Sequence, residues 1–302
     1  MSRVLVTGGA GFIGSHLVDH LIKAGHRVII IDDLSSGSRQ NLNKKAKFIK
    51  QKVQHQTMPG IFKANKVDFV FHLAAQIKLQ FSKKYPAEDA ETNIIGSLRV
   101  LDAARQAKVK KLIFFSSAAV YNIQDKPLNK ETDIILPEIP YGIAKHAVEQ
   151  YIIKSGLKYS ILRPSNVYGS RQGAFGEGGV VAIFCSQAAK NRASVINNTG
   201  HQTRDFIHVS DIAAGALKTI NMAHNQVINL STARETTINE LYDLIYSLVA
   251  KKIKPIRGVY LDEQYRSALN NKLAKKRLNW QPRMLLAEGL KETYNWFIKK
   301  YE

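Results

Sequence analysis

The sequence predicts an α/β fold: a doubly wound parallel sheet followed by a smaller C-terminal α/β lobe. Three observations carry that prediction. A glycine-spaced strand–turn–helix junction opens the chain, a second apolar strand ends in two aspartates about twenty residues later, and strand-like apolar runs then alternate with helical stretches.

A chain of 302 residues with 45% hydrophobic residues can bury a full core, as one large domain or as a large and a small one. No run of about eighteen apolar residues offers a membrane span. The start, MSRVLVTGGAGF, enters a strand directly instead of presenting a charged region, an apolar stretch and a cleavage site. The expectation is a cytoplasmic protein with no integral membrane segment. Cys185 is the single cysteine, so an internal disulfide is impossible. Nothing near it has metal-ligand spacing; no metal site is expected, and it reads as a small buried hydrophobe.

A formal charge of +20 raises the question of nucleic acid, anionic membrane or anionic substrate. The basic residues, however, fall in short separate groups (Lys44, Lys45, Lys47; Lys108, Lys110, Lys111; Lys251, Lys252, Lys254; Lys272, Lys275, Lys276, Arg277; Lys299, Lys300). There is no long basic arm and no interleaved aromatic platform, so these read as solvated faces and no nucleic-acid partner is expected.

Residues 3 to 7, RVLVT, are a β-branched run, followed by GGAGFIG and the apolar-periodic SHLVDHLIKAG. Gly8, Gly11 and Gly14 are spaced three apart. Such glycines permit the turn, let backbone approach a pyrophosphate and let helix pack on strand, with the helix N-terminus facing the phosphates. A glycine-rich turn also occurs at ordinary junctions for steric reasons alone. Here RVIII (27 to 31) follows and ends in Asp32 and Asp33, where a carboxylate accepts from ribose hydroxyls. The combination predicts a Rossmann-type dinucleotide site. It favours NAD over NADP, because Asp32 would repel a 2′-phosphate; nearby Arg39 is the one residue arguing the other way. Further strands are expected at 67 to 75 and 111 to 119, and helices near 88 to 107 and 141 to 155.

KLIFFSS ends in hydroxyls, so Ser116 and Ser117 should lie at the carboxyl edge of the sheet, where open α/β sheets bind ligands. In YGIAK, Tyr141 and Lys145 are four apart, which places them on one helix face about 40° apart. A lysine ammonium and a nicotinamide cation beside a phenol stabilise phenolate, which can act as a general base. An isolated YxxxK match would be an ordinary amphipathic helix; after a nicotinamide site and a strand-end serine it reads as chemistry.

VTGGAGFIGSHL, IDDLSSG, FHLAAQ, Asn93 in ETNIIGSLRVLDAA, FSSAAVY, PYGIAK, LRPSNVYG, QTRDFIHVSDIA and VINLSTARETTINEL occur in this order over nearly the whole chain. On these the sequence resembles the extended short-chain dehydrogenase/reductases of the NDP-sugar epimerase/dehydratase group, and within it the UDP-hexose 4-epimerases. The resemblance implies that Tyr141 takes the proton from a sugar 4-hydroxyl while C4 gives hydride to NAD, with hydride returned to the other face of the 4-keto sugar. Lys145 is then the pKa modifier and ribose ligand. Ser117, four before the tyrosine of FSSAAVY, is the hydroxyl on O4. Dehydratases and decarboxylases of the group carry an acid just after this serine; Ala118 and Ala119 stand there, which favours epimerisation.

The resemblance also implies where NAD lies. Contacts come from Gly8, Gly11, Phe12, Ile13 and Gly14, from Asp32, Asp33, Leu34, Ser35, Ser36 and Gly37, and from Lys52 and Val53. They continue through Leu73, Ala74, Ala75 and Gln76 to Asn93, Ser116, Tyr141, Lys145 and Pro164. The UDP-sugar would touch Ser117, Tyr141, Asn166, Val180, Arg204, Glu263 and Ser267. An arginine fork at Arg204 suits diphosphate oxygens, the blander role being a salt bridge to Asp205. Residues 1 to 168 are expected to form the NAD-binding domain and 169 to 302 a sugar-nucleotide lobe interleaved with it. A homodimer is implied, with Ile94, Ile95, Leu98, Leu101, Val148 and Ile152 supplying contacts between the helix pairs.

Several positions depart from the pattern. Lys52 stands where an adenine-contacting aspartate is usual, Asn197 and Asn198 where an aromatic and a glycine are typical, and Tyr260 where a second diphosphate arginine often lies; Arg257 or Arg266 could replace it. Asn122 replaces a glycine. These leave the nucleotide open. If Glu263 matches the acid of the C-terminal substrate loop, Ser267 walls the sugar's 2-substituent; a shift of one puts Arg266 or Ala268 there. A serine leaves room for an acetamido group. The rival readings are a dehydratase or reductase of the same group, a weakly catalytic NAD-binding regulator, and a nucleic-acid binder.

Overall fold

The computed structural model describes residues 1–121, 128–174, 179–259 and 265–302. The chain begins β1 (Arg3–Thr7), α1 (Phe12–Lys23), β2 (Arg27–Asp32), β3 (Lys47–Lys50), α2 (Met58–Ala64) and β4 (Phe69–His72). It continues with α3 (Leu79–Lys84), α4 (Pro86–Ala90), α5 (Gly96–Gln106), β5 (Lys111–Phe115), α6 (Pro140–Lys154), β6 (Tyr159–Pro164) and β7 (Asn166–Tyr168). Then come α7 (Val180–Ala189), β8 (Val195–Asn197), β9 (Thr203–Arg204), β10 (Phe206–His208), α8 (Val209–Lys218) and β11 (Gln226–Leu230). The chain closes with β12 (Thr236–Thr237), α9 (Ile238–Tyr246), β13 (Ile256–Gly258), β14 (Arg266–Ser267), α10 (Lys272–Leu278) and α11 (Leu286–Tyr301).

Seven strands form one parallel sheet in the order β11-β6-β5-β4-β1-β2-β3. The order reverses beside β1, so the switch point between β1 and β4 opens a crevice at the carboxyl edge, where such sheets take ligands. The strands are apolar on both faces because both are covered. Val4, Val6, Ile30 and Phe71 pack beneath α1, α8 and α10, while Leu5, Ile31, Val70 and Phe114 pack beneath α2, α5 and α6. A separate cluster of Phe184, Leu241, Ile245 and Phe297 joins α7, α9 and α11. The last strand of the main sheet, β11, comes from the C-terminal half, and α8 packs on α1.

Two expected elements are shorter than the sequence suggests. The strands expected at 67–75 and 111–119 end at His72 and Phe115, and the apolar residues beyond them line loops over the crevice. The helix expected over 88–107 is α4 and α5 joined by a π turn, Glu91–Ile95, in which Asn93 points inward. Among the described residues no helix is long and apolar enough to cross a membrane.

Candidate active site

A cavity of about 850 Å³ follows the carboxyl edge from the glycine turn, past the ends of β2, β4, β5 and β6, to β9 and β14. Gly8 has φ 71°, and a Cβ there would come within 2.7 Å of the Ala74 backbone nitrogen; a Cβ on Gly14 would lie 2.1 Å from the Gly8 carbonyl oxygen. Both positions therefore demand glycine. Gly11 is different: its Cβ would meet only the Gly8 oxygen, at 3.2 Å, with the cavity beyond. Gly11 is also the N-cap of α1, with no side-chain cap and no acid in the first turn. A bare positive helix end facing a cavity fits a pyrophosphate.

Asp32 ties this turn to the end of β2. Its Oδ2 accepts from the Ala10 amide at 2.9 Å and its Oδ1 from the Leu34 amide at 2.8 Å. Each oxygen keeps a lone pair for a ribose hydroxyl. Burial raises the carboxyl above its usual range, against those two amides. Asp33, also on the cavity wall, accepts from the Ser35 amide and hydroxyl. Arg39 is turned away and stacks 5.8 Å from the Phe48 ring centroid, outside the cavity lining. Asp32 and the uncapped helix together fit NAD.

Ser117, Tyr141 and Lys145, the residues expected to react, meet at the opposite wall. Ser117 caps a short 3₁₀ turn, Ala118–Val120, its hydroxyl accepting from the Ala119 amide at 3.1 Å. Pro140 starts α6, and Gly142 lets that helix lie against the turn, because a Cβ there would sit 2.2 Å from the Ala119 oxygen. This contact brings Tyr141 to Ser117. Lys145, one turn on, donates to the Phe115 carbonyl at 2.9 Å and stands 5.7 Å from the Tyr141 ring centroid.

Burial pushes the phenol of Tyr141 up to about 12; the nearby Ser117 hydroxyl pulls it down and Asp89 raises it. Burial brings Lys145 down to about 8, against the pull of Asp89 and Glu149. The sequence reading has Lys145 lowering the phenol. In the structure burial dominates and leaves the phenol high, and Lys145 is not among the groups that shift it.

Of the other residues expected to contact NAD, Phe12, Ile13, Ser35, Ser36, Val53, Leu73, Ala74, Ala75, Ser116 and Pro164 line the cavity. Leu34 (φ 63°) and Gly37 shape the turn after β2 instead. Lys52 is exposed and outside the lining, which Gln51 and Gln54 occupy in its place. Gln76 and Asn93 lie behind the wall: Asn93 accepts from the Gln76 amide at 2.9 Å and donates to the Gln76 carbonyl at 2.9 Å, bracing the loop after β4.

Asn166, Asn197, Arg204 and Ser267 line the far end of the cavity. Ser267 pairs in register with Arg204 across β14 and β9. Ala268 is buried, and Arg266 is held by Glu235, its Nε donating to Oε1 at 2.9 Å. Arg257 is drawn to Asn239 and the Thr199 carbonyl, so neither arginine reaches the cavity in place of Tyr260. Val180 packs against the C-terminal cluster and lies outside the cavity lining, where Gly179 and Ile183 form the wall. Asp205 is turned inward, accepting from Thr232, Ala233 and Leu269. Glu263 and Tyr260, and Asn122, lie outside the described residues.

Three lining residues had no signal in the sequence. Ser165 and Gln172 each carry a buried oxygen without a partner, and Glu138 brings a carboxylate three residues before Tyr141. Among the described residues no cluster of His, Cys, Asp or Glu could hold a metal ion.

The parallel sheet, the glycine cradle and the Ser–Tyr–Lys constellation at its edge define an extended short-chain dehydrogenase/reductase. The profile of the NAD dependent epimerase/dehydratase family matches residues 4–231, and the chain belongs to that family. It is 39% identical over 303 residues to a putative UDP-glucose 4-epimerase of Methanocaldococcus jannaschii, covering 97% of each. The UDP-glucose 4-epimerase of Thermotoga maritima, solved with UDP-glucose, superimposes with TM-score 0.97 at 41% identity, covering 99% of this chain and 100% of that one. A UDP-N-acetylglucosamine 4-epimerase from Methanobrevibacter ruminantium, in complex with UDP-N-acetylmuramic acid, gives TM-score 0.94 at 33% identity, covering 99% of each.

Proposed function

We propose that the protein is an NAD-dependent 4-epimerase of an NDP-hexose, acting on UDP-glucose and UDP-galactose or on their N-acetylated counterparts. The observation that carries this reading is one cavity holding the glycine cradle, Asp32, and the trio Ser117, Tyr141 and Lys145. NAD held by the glycine cradle and Asp32 would supply a reversible hydride acceptor for C4. Tyr141 takes the 4-hydroxyl proton and gives it back; Ser117 orients O4; Lys145 holds positive charge beside the phenol and reaches the ribose. Arg204 and Asn166 face the diphosphate, and Ser267 bounds the sugar end. The relatives named above act on UDP-sugars, which supports UDP as the nucleotide.

The same reading divides the chain near Tyr168 into a cofactor domain and a sugar-nucleotide lobe, and it places the protein in the cytoplasm as a homodimer. Of the six residues expected to make the dimer contact, three face inward and Ile95 is exposed. Leu101, Val148 and Ile152 are buried against the sheet, whereas Ile95, in the turn before α5, and Ile143 and Tyr151 of α6 are 40%, 50% and 53% exposed. A monomer of 33.8 kDa in sedimentation would remove the dimer.

Glu138 supports one second reading. It offers the acid that Ala118 and Ala119 lack, as a dehydratase would need. Incubation with UDP-glucose and UDP-N-acetylglucosamine, with products separated chromatographically, decides between the two. The 4-epimers support epimerisation, and a 4-keto-6-deoxy sugar would replace it with elimination.

A further inference from the structure

Asp89 on α4 is only 1% exposed and has no part in the reading above. Its Oδ1 accepts from Gln76 Nε2 at 2.8 Å and from Asn93 Nδ2 at 3.0 Å, while its Oδ2 is buried without a hydrogen-bond partner. Among the described residues no lysine, arginine or histidine forms an ion pair with it. A carboxylate so placed is costly unless some charge compensates it.

Lys145 has the mirror-image problem. It is 3% exposed, its Nζ donates to the Phe115 carbonyl, and the acid one turn along α6, Glu149, is already gripped by Arg163. α4 packs directly on α6. Asp89 acts across that contact on both reacting groups, favouring the ammonium of Lys145 and opposing the phenolate of Tyr141. Two buried charges of opposite sign, neither neutralised locally, therefore balance one another at a distance longer than an ion pair.

We propose that Asp89 is a positioning residue of the active site: its carboxylate is the counter-charge that keeps Lys145 an ammonium, and it pins the Gln76 loop that walls the cofactor cavity. The loop part follows from the hydrogen bonds. Asp89 and Asn93 hold Gln76 by side chain and backbone, and Gln76 in turn accepts from the Lys78 amide and donates to its carbonyl. Leu73, Ala74, Ala75 and Ile77 of this loop face the cavity. The electrostatic part depends on every group around Lys145. Tyr141 and Glu149 face it from α6, Asp89 from α4 and His72 from β4, with Arg163 of β6 acting through Glu149. His72 is held neutral by burial, down to about 3, and adds no opposing charge near neutral pH. Asp89 is thus the acid whose charge is left over for Lys145. The assignment deepens the reading of Tyr141 and Lys145 as the reacting pair.

The test reads Lys145 itself, without turnover, so a failure of the epimerase assignment leaves it intact. Protein labelled with [ε-¹³C]lysine is titrated by NMR, the Lys145 signal being assigned by its absence from Lys145→Met. Asp89→Asn should move the Lys145 titration to lower pH by about one unit or more. Asp89→Ser serves if the amide does not fold. Asn93→Ala removes a hydrogen bond to the same carboxylate but not its charge, and should leave the titration in place. A neutral Asp89 variant whose Lys145 titrates as in the wild type would overturn the proposal, as would an equal shift in Asn93→Ala, which would trace the effect to the loop.

Discussion

Glu149 accepts two hydrogen bonds from the Arg163 guanidinium, Nε to Oε1 at 2.9 Å and Nη2 to Oε2 at 2.5 Å, one helical turn behind Lys145. The same guanidinium donates to the Tyr121 hydroxyl at 2.9 Å, and Tyr121 donates to Asn229 at 2.7 Å. The fork locks α6 to β6 and β11, so the helix that carries Tyr141 and Lys145 is fixed to the sheet from behind.

Glu149→Gln should accordingly lower unfolding stability by about 3–5 kcal/mol, because it strands a buried guanidinium. Burial alone would raise the Glu149 carboxyl, but hydrogen bonds from Arg163 and His146 outweigh it and hold the group below its usual 4.5. A depressed carboxyl contributes its stability above 4.5 and loses it as pH falls through the folded-state value. The gap between wild type and variant in urea unfolding should therefore be full at pH 7 and close in acid. A gap that is unchanged in acid would remove the ion pair as its cause.

Tyr141→Phe should leave the fold and the bound cofactor in place and lower turnover by about 10² or more. Calorimetry and the cofactor content check the first part, and steady-state rates the second. Turnover close to that of the wild type would take Tyr141 out of the mechanism.

Denatured protein should release NAD or NADH and not NADP. Asp32→Ala removes the acceptor of the Ala10 and Leu34 amides along with the ribose contact. NAD affinity should fall by about tenfold to a hundredfold, the loss expected for hydrogen bonds to a charged group. Equal NAD affinity in the variant would contradict the placement of the ribose.

Ser267→Tyr should abolish activity on N-acetylated sugars while sparing UDP-glucose and UDP-galactose, since a large side chain at this wall excludes an acetamido group. In the wild type, kcat/KM for UDP-N-acetylglucosamine should lie within about tenfold of that for UDP-glucose, or above it. An enzyme restricted to the unsubstituted pair would move the wall elsewhere.

What the sequence made legible was local. Gly8, Gly11, Gly14, Asp32, Ser117, Tyr141 and Lys145 sit in short segments whose conformation their own neighbours set, and all of them line the cavity. What it hid was set by contacts across the fold. Lys52 against Gln54, and Val180 against Ile183, turn on which way a single side chain faces at an element boundary. Arg266 looked available until Glu235, 31 residues away, took it. Val148 and Ile152, two of the expected contacts between subunits, face the sheet, while Ile143 and Tyr151 do not; α6 is apolar on both sides, so periodicity could not separate them. Asp89 carried no signal at all; Asn93 is its neighbour one turn along, but Gln76 and Lys145 are brought to it only by the fold.

The most direct measurement is the fate of the hydrogen on C4. UDP-galactose carrying deuterium at C4 is incubated with the protein in ordinary water, and the product is read by mass and NMR. The expected result is UDP-glucose that retains deuterium at C4, because the hydride taken from one face is returned to the other within the same site. No epimer from it or from the same label in UDP-N-acetylgalactosamine, or an epimer whose C4 deuterium has been replaced from solvent, would contradict 4-epimerisation by Tyr141 and NAD.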